Sequence, residues 1–388
     1  MKLLLVFLLW GLLLVPACTP GSSGLNGNNH YLESIASVFA GNGTSFVIDN
    51  NRSLWGWGSN RAFEINRNYF INNPILEKEP VHLLSNVIHM STSGMLGRIG
   101  GYVLAIRDDN TLWGWGLVPF PGLSPSSPLL VVDLPTQILD DVAYVAAGFS
   151  HVVAIDTGGV LWTWGMSFFG YFDVDVDLDI DLTPVIDNVY KVSAGLNTTF
   201  AIKNDNTLWA WGSNNGHGQV GSGNTEVVSE PIMVLNDVVN VSAGFDFTMA
   251  VKSDNTLWAW GNNEFGQLGV QGTGSLYPIM VKENIKYASA GFGYTMAIDI
   301  DGTLWAWGSN ILGQLGDGSN ENSEVPVAIM DNVVSVSVGG FRGNEYTLAL
   351  KNDGTFWAWG ANTFAQHGDA TTEYRNEPHQ VFIASLHN

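Results

Sequence analysis

Residues 231–269 read PIMVLNDVVNVSAGFDFTMAVKSDNTLWAWGNNEFGQLG, and this stretch carries the plan of the whole chain. It holds four short β-type runs, at 232–235, 238–242, 248–252 and 256–260, each bounded by turn residues. Its tetrad Trp258-Ala259-Trp260-Gly261 belongs to a series of seven. The others are Trp55-Gly56-Trp57-Gly58, Trp113-Gly114-Trp115-Gly116, Trp162-Thr163-Trp164-Gly165, Trp209-Ala210-Trp211-Gly212, Trp305-Ala306-Trp307-Gly308 and Trp357-Ala358-Trp359-Gly360. Successive anchors lie 58, 49, 47, 49, 47 and 52 residues apart. A steady period of about 50 residues marks one architecture of repeated supersecondary units. Four antiparallel strands per unit make a propeller blade, and seven units fall within the usual range of about four to eight. The sequence therefore predicts an all-β, seven-bladed β-propeller of four-stranded antiparallel blades.

Alternation along a strand sends residues i and i+2 to one face, so both tryptophans of a tetrad cover the same side of a blade. Two indoles on one face need a second apolar surface, which the neighbouring blade supplies, so the tetrad tryptophans are expected in the core. Upstream, a small-residue corner recurs at Ala147-Gly148, Ala194-Gly195, Ala243-Gly244 and Ala290-Gly291, each glycine 14 residues before its tetrad. The interval stretches to 19 residues from Gly94 and to 17 from Gly340, which predicts bulging loops on one rim. A further irregular insertion spans Val118–Pro128. The chain ends near Pro378-His379-Gln380-Val381-Phe382, a copy of the Pro-x-x-Val run that opens the unit quoted above. No tetrad follows it, and the first tetrad has no such run before it. The expectation is a ring closed by pairing of the N- and C-terminal strands, with this last strand completing the first blade.

Residues 1–18 read as a signal peptide: Lys2, then an apolar stretch too short to span a bilayer. Leu14-Val15-Pro16-Ala17-Cys18 ends it and contains the only cysteine. It resembles a bacterial lipobox, which makes Cys18 the expected lipidation site and the membrane an expected partner through that anchor. Pro16 departs from the usual pattern. Residues 19–30 are rich in Gly, Ser and Asn and read as a flexible tether. The propeller is assigned to 31–388, and the expected location is a cell membrane or outer membrane lipoprotein, otherwise a secreted protein. With 36 acidic against 15 basic residues and a net charge of −21, the chain repels polyanions and is not expected to bind nucleic acid.

The repeat, with Ser-Ala-Gly, Asp-Asn-Thr-Leu-Trp-Ala-Trp-Gly and Gly-Gln-Leu-Gly in order, resembles that of the regulator of chromosome condensation family. The most specific copies are Trp258–Gly269 and Trp305–Gly316, with weaker turns at Gly218-Gln219-Val220-Gly221 and Ala365-Gln366-His367-Gly368. Units one to three read as lacking this turn. The resemblance implies a seven-bladed propeller. It spans diverse functions: a nuclear guanine-nucleotide exchange factor, a plant light receptor, a secreted inhibitor of β-lactamases and many bacterial surface proteins. The His that often follows the corner is kept only as His151, with Thr44, Thr198, Phe247 and Tyr294 in its place elsewhere.

Asp173, Asp175, Asp177, Asp179 and Asp181 alternate with apolar residues, so on a strand all five carboxylates face one way. They are the only weak metal candidates, for Ca²⁺, and a solvated acidic edge is the competing reading. Gly216-His217-Gly218-Gln219-Val220-Gly221 has the spacing of a dinucleotide motif but precedes strands and not a helix, so no cofactor is expected. No nucleophile elbow, Walker motif or zinc spacing occurs, and no catalytic residue is assigned. Aromatics expected in turns or insertions are Phe120, Phe168, Phe169, Tyr171, Phe172, Phe265, Phe292, Tyr294, Phe341 and Tyr346. The leading expectation is a non-enzymatic cell-envelope binding or scaffold protein that engages a protein or envelope component through its rim loops. Alternatives are a secreted inhibitor of an extracellular enzyme such as a β-lactamase, a guanine-nucleotide exchange factor, and a propeller lyase or hydrolase.

Overall fold

The computed structural model describes residues 35–61, 64–65, 76–94, 101–118, 130–149, 151–165, 182–213 and 215–382. Those residues form seven four-stranded antiparallel sheets arranged as a closed ring, with no helix among them. The molecule is a seven-bladed β-propeller. Blade 1 spans 35–84, blade 2 87–139, blade 3 142–186, blade 4 189–235, blade 5 238–282, blade 6 285–330 and blade 7 333–381. Blade 5 shows the plan: Val238–Ala243 innermost, then Phe247–Lys252, then the tetrad strand Leu257–Asn262, then Gly274–Lys282 outermost.

The predicted closure is corrected by the strand pairing. The C-terminal strand Arg375–Val381 pairs with Phe356–Gly360 in its own blade 7, and blade 1 has its own outer strand, Leu76–Leu84. The Pro-x-x-Val run thus ends a blade and does not begin one. Its link to the next inner strand, Asn236-Asp237, looks like a tight hairpin, but only Asp237 has positive φ (61°). A primed hairpin turn needs a left-handed first residue as well, so the chain crosses to the next blade instead of folding back. Val238 N then donates to Asn206 O (2.8 Å) and Ser253 N to Asp237 O (2.7 Å), which fixes the step between blades. Each outer strand carries a proline, such as Pro231, Pro278 and Pro326, tolerated there because an edge needs no further donor.

The seam between blades 7 and 1 is held by side chains and the inner corners. Ala40 N donates to Ser337 Oγ (2.9 Å), and Gly340 N to Gly41 O (2.8 Å). Tyr346 Oη donates to Thr44 O (2.7 Å). An apolar cluster joins Val38, Val47 and Trp57 of blade 1 to Leu348, Phe356 and Val381 of blade 7.

The second tryptophan of each tetrad, such as Trp57, Trp260, Trp307 and Trp359, is fully buried between blades. Its indole N–H reaches back to the preceding blade: Trp260 to Gln219 O (2.8 Å), Trp307 to Gln267 O (2.9 Å), Trp359 to Gln314 O (2.9 Å). The first tryptophan is only half-buried in most blades and is covered by a cation on the outer side. Lys252 Nζ lies 5.5 Å from the ring of Trp258 and Lys203 Nζ 5.0 Å from that of Trp209. The Gly-Gln-Leu-Gly turns therefore fasten one blade to the next. Gly269 has φ +80°, and a Cβ there would sit 2.9 Å from Trp307 Nε1. Gly269→Ala is expected to cost about 2 kcal/mol, from left-handed strain plus overpacking, read as a lower urea midpoint with unchanged slope.

Candidate functional site: the loop rim and the axial mouth

Chain direction places two kinds of connection on each rim. The inner corners and the loops leaving each tetrad share one rim, and the tight hairpins and blade-to-blade steps share the other. The hairpin rim is acidic, with Asp109, Asp205, Asp254 and Asp353 in its turns. Each of these carboxyls is held below the usual range, first by the hydroxyl of the Thr two residues on.

On the loop rim, small corners let the blades converge. A Cβ on Gly244 would lie 2.5 Å from the Phe247 ring and 3.0 Å from Gly291 O of the next corner. Phe245 N donates to that same Gly291 O (3.3 Å). The residue after each corner is thereby thrown toward the axis: Phe149, Leu196, Phe245, Phe292 and Phe341, with Asn42 in blade 1. Phe245 and Phe292 lie 4.9 Å apart between ring centroids, Phe292 and Phe341 4.8 Å, and Phe245 and Phe341 5.3 Å. This half-buried aromatic cluster floors an axial cavity of about 180 Å³ whose opposite wall is polar, with Asn42, Thr92 and Ser93. The exposed Arg342 guanidinium lies 5.3 Å from the Phe341 centroid. Beside it Glu345 is buried, its pKa raised by desolvation although it accepts from Gly343 N.

Of the aromatics expected on the rim, Phe292 and Phe341 are in this cluster. Phe265 covers the next blade's corner at Gly293. Tyr294 and Tyr346 are corrected: both are completely buried, and their hydroxyls donate to Tyr346 O (2.6 Å) and Thr44 O (2.7 Å) of the following blade. The reason is positional, since they start second strands and do not sit in the corners. Phe120, Phe168, Phe169, Tyr171 and Phe172 lie outside the described residues, as do Cys18 and the run Asp173 to Asp181. Among the described residues no cluster of three or more His, Cys, Asp or Glu could hold a metal.

His151 starts a second strand and lies half-buried over Gly148, its Nε2 3.0 Å from Thr199 Oγ1. Desolvation pushes its pKa down to about 4, which makes it a packing residue. Gly216 to Gly221 form an inter-blade turn in which Val220 N donates to Asn215 Oδ1 (3.1 Å) and Gln219 O accepts from Trp260.

Sequence reading missed one copy of that turn. In blade 1 Ile65 N donates to Asn60 Oδ1 (2.9 Å), and Glu64 O accepts from Trp115 Nε1 (2.7 Å). Glu64 stands where blades 4 to 7 have Gln219, Gln267, Gln314 and Gln366, so the turn of unit one is kept. The signal available was the Asn five residues before an aliphatic, as in Asn263 and Leu268.

The comparisons locate the most regular part of the ring. Models of the regulator of chromosome condensation (RCC1) repeat match residues 189–219, 238–267 and 285–314, and in a second form 205–251, 254–298 and 301–349. Blades 4 to 6 match the RCC1 repeat. The chain is 32% identical over 136 residues to the RCC1 domain-containing protein RUG3, mitochondrial, of Arabidopsis thaliana, covering 34% of this chain and 29% of that protein. A bifunctional serine/threonine-protein kinase/NEDD4-like E3 ubiquitin-protein ligase of Dictyostelium discoideum is 26% identical over 149 residues, 34% of this chain and 8% of that one. The matches thus span less than a third of either relative's length. Among solved structures, human WBSCR16 superposes with a TM-score of 0.71 at 20% identity, over 85% of this chain and 93% of that one. Prp20p of Saccharomyces cerevisiae gives 0.70 at 18% identity, over 81% and 82%. These likenesses show an RCC1-like propeller fold.

Proposed function

We propose that this chain is a non-enzymatic binding module whose loop rim engages a protein or another envelope component. The reading includes export by residues 1–18 and a lipid anchor on Cys18. The observation that supports it best is the aromatic cluster Phe245, Phe292 and Phe341, half-buried at the axial mouth on a rigid ring. Aromatic and arginine side chains on a fixed scaffold are the residues that anchor protein interfaces, and Arg342 stands beside Phe341. Similar propellers bind proteins: Prp20p is described with binding to Gsp1p and histones, and in complex with Kap60. A net charge of −21 weighs against DNA as a partner of this chain.

A second reading, inhibition of an extracellular enzyme, rests on the same cluster, because a small aromatic hot spot suits the blocking of a cleft. The test uses cross-linking capture from envelope extracts with the full chain and with a Phe292→Ala, Arg342→Ala variant. A partner retained by the full chain and lost at least tenfold by the variant supports the reading. Identical capture by both removes its basis. Inhibition of a β-lactamase panel at about micromolar concentration, lost in the same variant, would favour the second reading instead.

A further inference from the structure

The third residue of each inner strand is Ser37, His89, Tyr144, Lys191, Asn240, Tyr287 or Ser335, going round the ring from blade 1 to blade 7. In all seven strands the pairing register slips just before this residue. The side chain two residues on, which shares its face, reaches the next blade's inner strand: Ala147 N donates to Ser91 Oγ, Ala243 N to Ser193 Oγ and Ala290 N to Ser242 Oγ. His89 does the same, its Nε2 donating to Val145 O at 2.9 Å while its ring stacks on Tyr144 at 4.2 Å. These residues stand at one level of the seven innermost strands, where Ser37, His89, Tyr144, Lys191 and Ser335 are half-buried and Tyr287 is more exposed, so they form a collar around the axis.

Electrostatic influence across the ring agrees with this placement. Lys191 in blade 4 acts electrostatically on His89 in blade 2, and Tyr287 in blade 6 on Tyr144 in blade 3. Blades two and three steps apart come close only across the axis. Tyr287 is nonetheless 37% exposed, so solvent-sized molecules reach this level. The phenylalanine cluster lies at the loop-rim end of the axis, and the hairpin rim is the other end.

The chemistry of the collar is lopsided. Lys191 brings an ammonium group, yet among the described residues no carboxylate forms an ion pair with it, in a chain with 36 acidic residues. Tyr144 and Tyr287 add two phenol donors. Asn240 is buried at the same level, and its Oδ1 has no partner. An unpaired ammonium removed from bulk water is costly unless something anionic accompanies it.

The geometry points to a binding site for a small oxyanion, of carboxylate or phosphate chemistry, at this collar, with Lys191 as the charge partner and Tyr144 and Tyr287 as hydrogen-bond donors. Burial, reinforced by the Lys191 charge, holds His89 neutral against the opposing pull of its bond to Val145, so it shapes the site and adds no charge. Burial also lowers the Lys191 pKa, and a bound anion reverses that shift by pairing with the ammonium. The acidic hairpin rim slows an approaching anion, an effect screened at physiological ionic strength, where the Debye length is about 8 Å.

The experiment titrates the full chain with sodium acetate and, separately, with inorganic phosphate at fixed ionic strength, by calorimetry. In parallel, mass spectrometry follows protection of Lys191 from reductive methylation. Binding at about 10 mM or tighter is expected for one of the two anions, which identifies the planar or the tetrahedral class. Lys191→Met is expected to weaken that binding about tenfold or more and Tyr287→Phe several-fold, as loss of charged and neutral donors predicts. Lys191→Met is also expected to raise the urea midpoint, because it removes an unpaired cation and keeps the apolar stem. Absence of binding by both anions overturns the proposal, and so does unchanged affinity or unchanged Lys191 labelling.

Discussion

His367→Leu is expected to stabilise the ring in acid by about 3 kcal/mol, with a smaller gain at pH 7. His367 occupies the inter-blade turn position that holds Val220, Leu268 and Leu315 in blades 4 to 6; in each, the backbone N–H bonds to an Asn side chain five residues earlier. Its imidazole is fully buried and neither ring nitrogen has a hydrogen-bond partner. Desolvation pushes its pKa from 6.5 down to about 4, Asp369 opposing that shift and Arg375 and His379 reinforcing it. A base with a depressed folded pKa binds its proton more readily in the unfolded chain. Stability is therefore intact above about pH 6.5, falls as pH drops toward 4, and levels off below. The shift of roughly 2.5 units corresponds to about 3 kcal/mol at 1.36 kcal/mol per unit. His89 and His151 are depressed to about the same value by burial, so the variant keeps part of the acid limb. Urea midpoints of both proteins between pH 7 and pH 4 provide the check. Parallel pH profiles would show that His367 does not titrate with folding.

Much of this architecture was legible because the tetrad couples sequence to packing so directly. Trp260 must be buried, Ala259 must be small, and their seven-fold recurrence fixes blade number. The phase of the repeat was not legible. Asn236-Asp237 between two β-type runs is the signature of a hairpin, and only the φ of the first residue tells a crossing from a turn. The same ambiguity misplaced the C-terminal strand, since the order of pairing depends on which neighbour a run meets in space. Glu64 escaped notice because a turn defined by a main-chain carbonyl tolerates a different side chain above it. The collar of His89, Tyr144, Lys191, Asn240 and Tyr287 has no motif at all. Its members lie 47 to 55 residues apart in sequence and become neighbours only when the ring closes.

Closure by side chains, with no strand shared between the first and last blades, makes the seam the place where the ring opens. Trp57→Ala and Trp260→Ala remove equally buried indoles, and each is expected to cost about 4 kcal/mol through lost burial and the cavity left behind. In both, a main-chain carbonyl loses its indole donor, Gln366 O at 3.0 Å in one case and Gln219 O at 2.8 Å in the other. A hydroxyl still reaches each carbonyl, from Ser45 and from Thr248. The difference lies in connectivity. Blades 4 and 5 remain joined through Asn236-Asp237, so a weakened interface there is held at high effective concentration. Blades 7 and 1 have no such direct link, and Trp57 also packs edge-on against Phe356 at 5.8 Å across the seam. Hydrogen exchange is expected to separate the two variants. In Trp57→Ala the amides of Ile35–Ala40 and Val333–Gly339 should lose protection well below the global unfolding free energy, because the ring parts locally. In Trp260→Ala the inner strands Val189–Ala194 and Val238–Ala243 should exchange only with global unfolding. Equal protection at both interfaces would mean that the seam is as strong as a chain-linked junction, and local opening there would have to be abandoned.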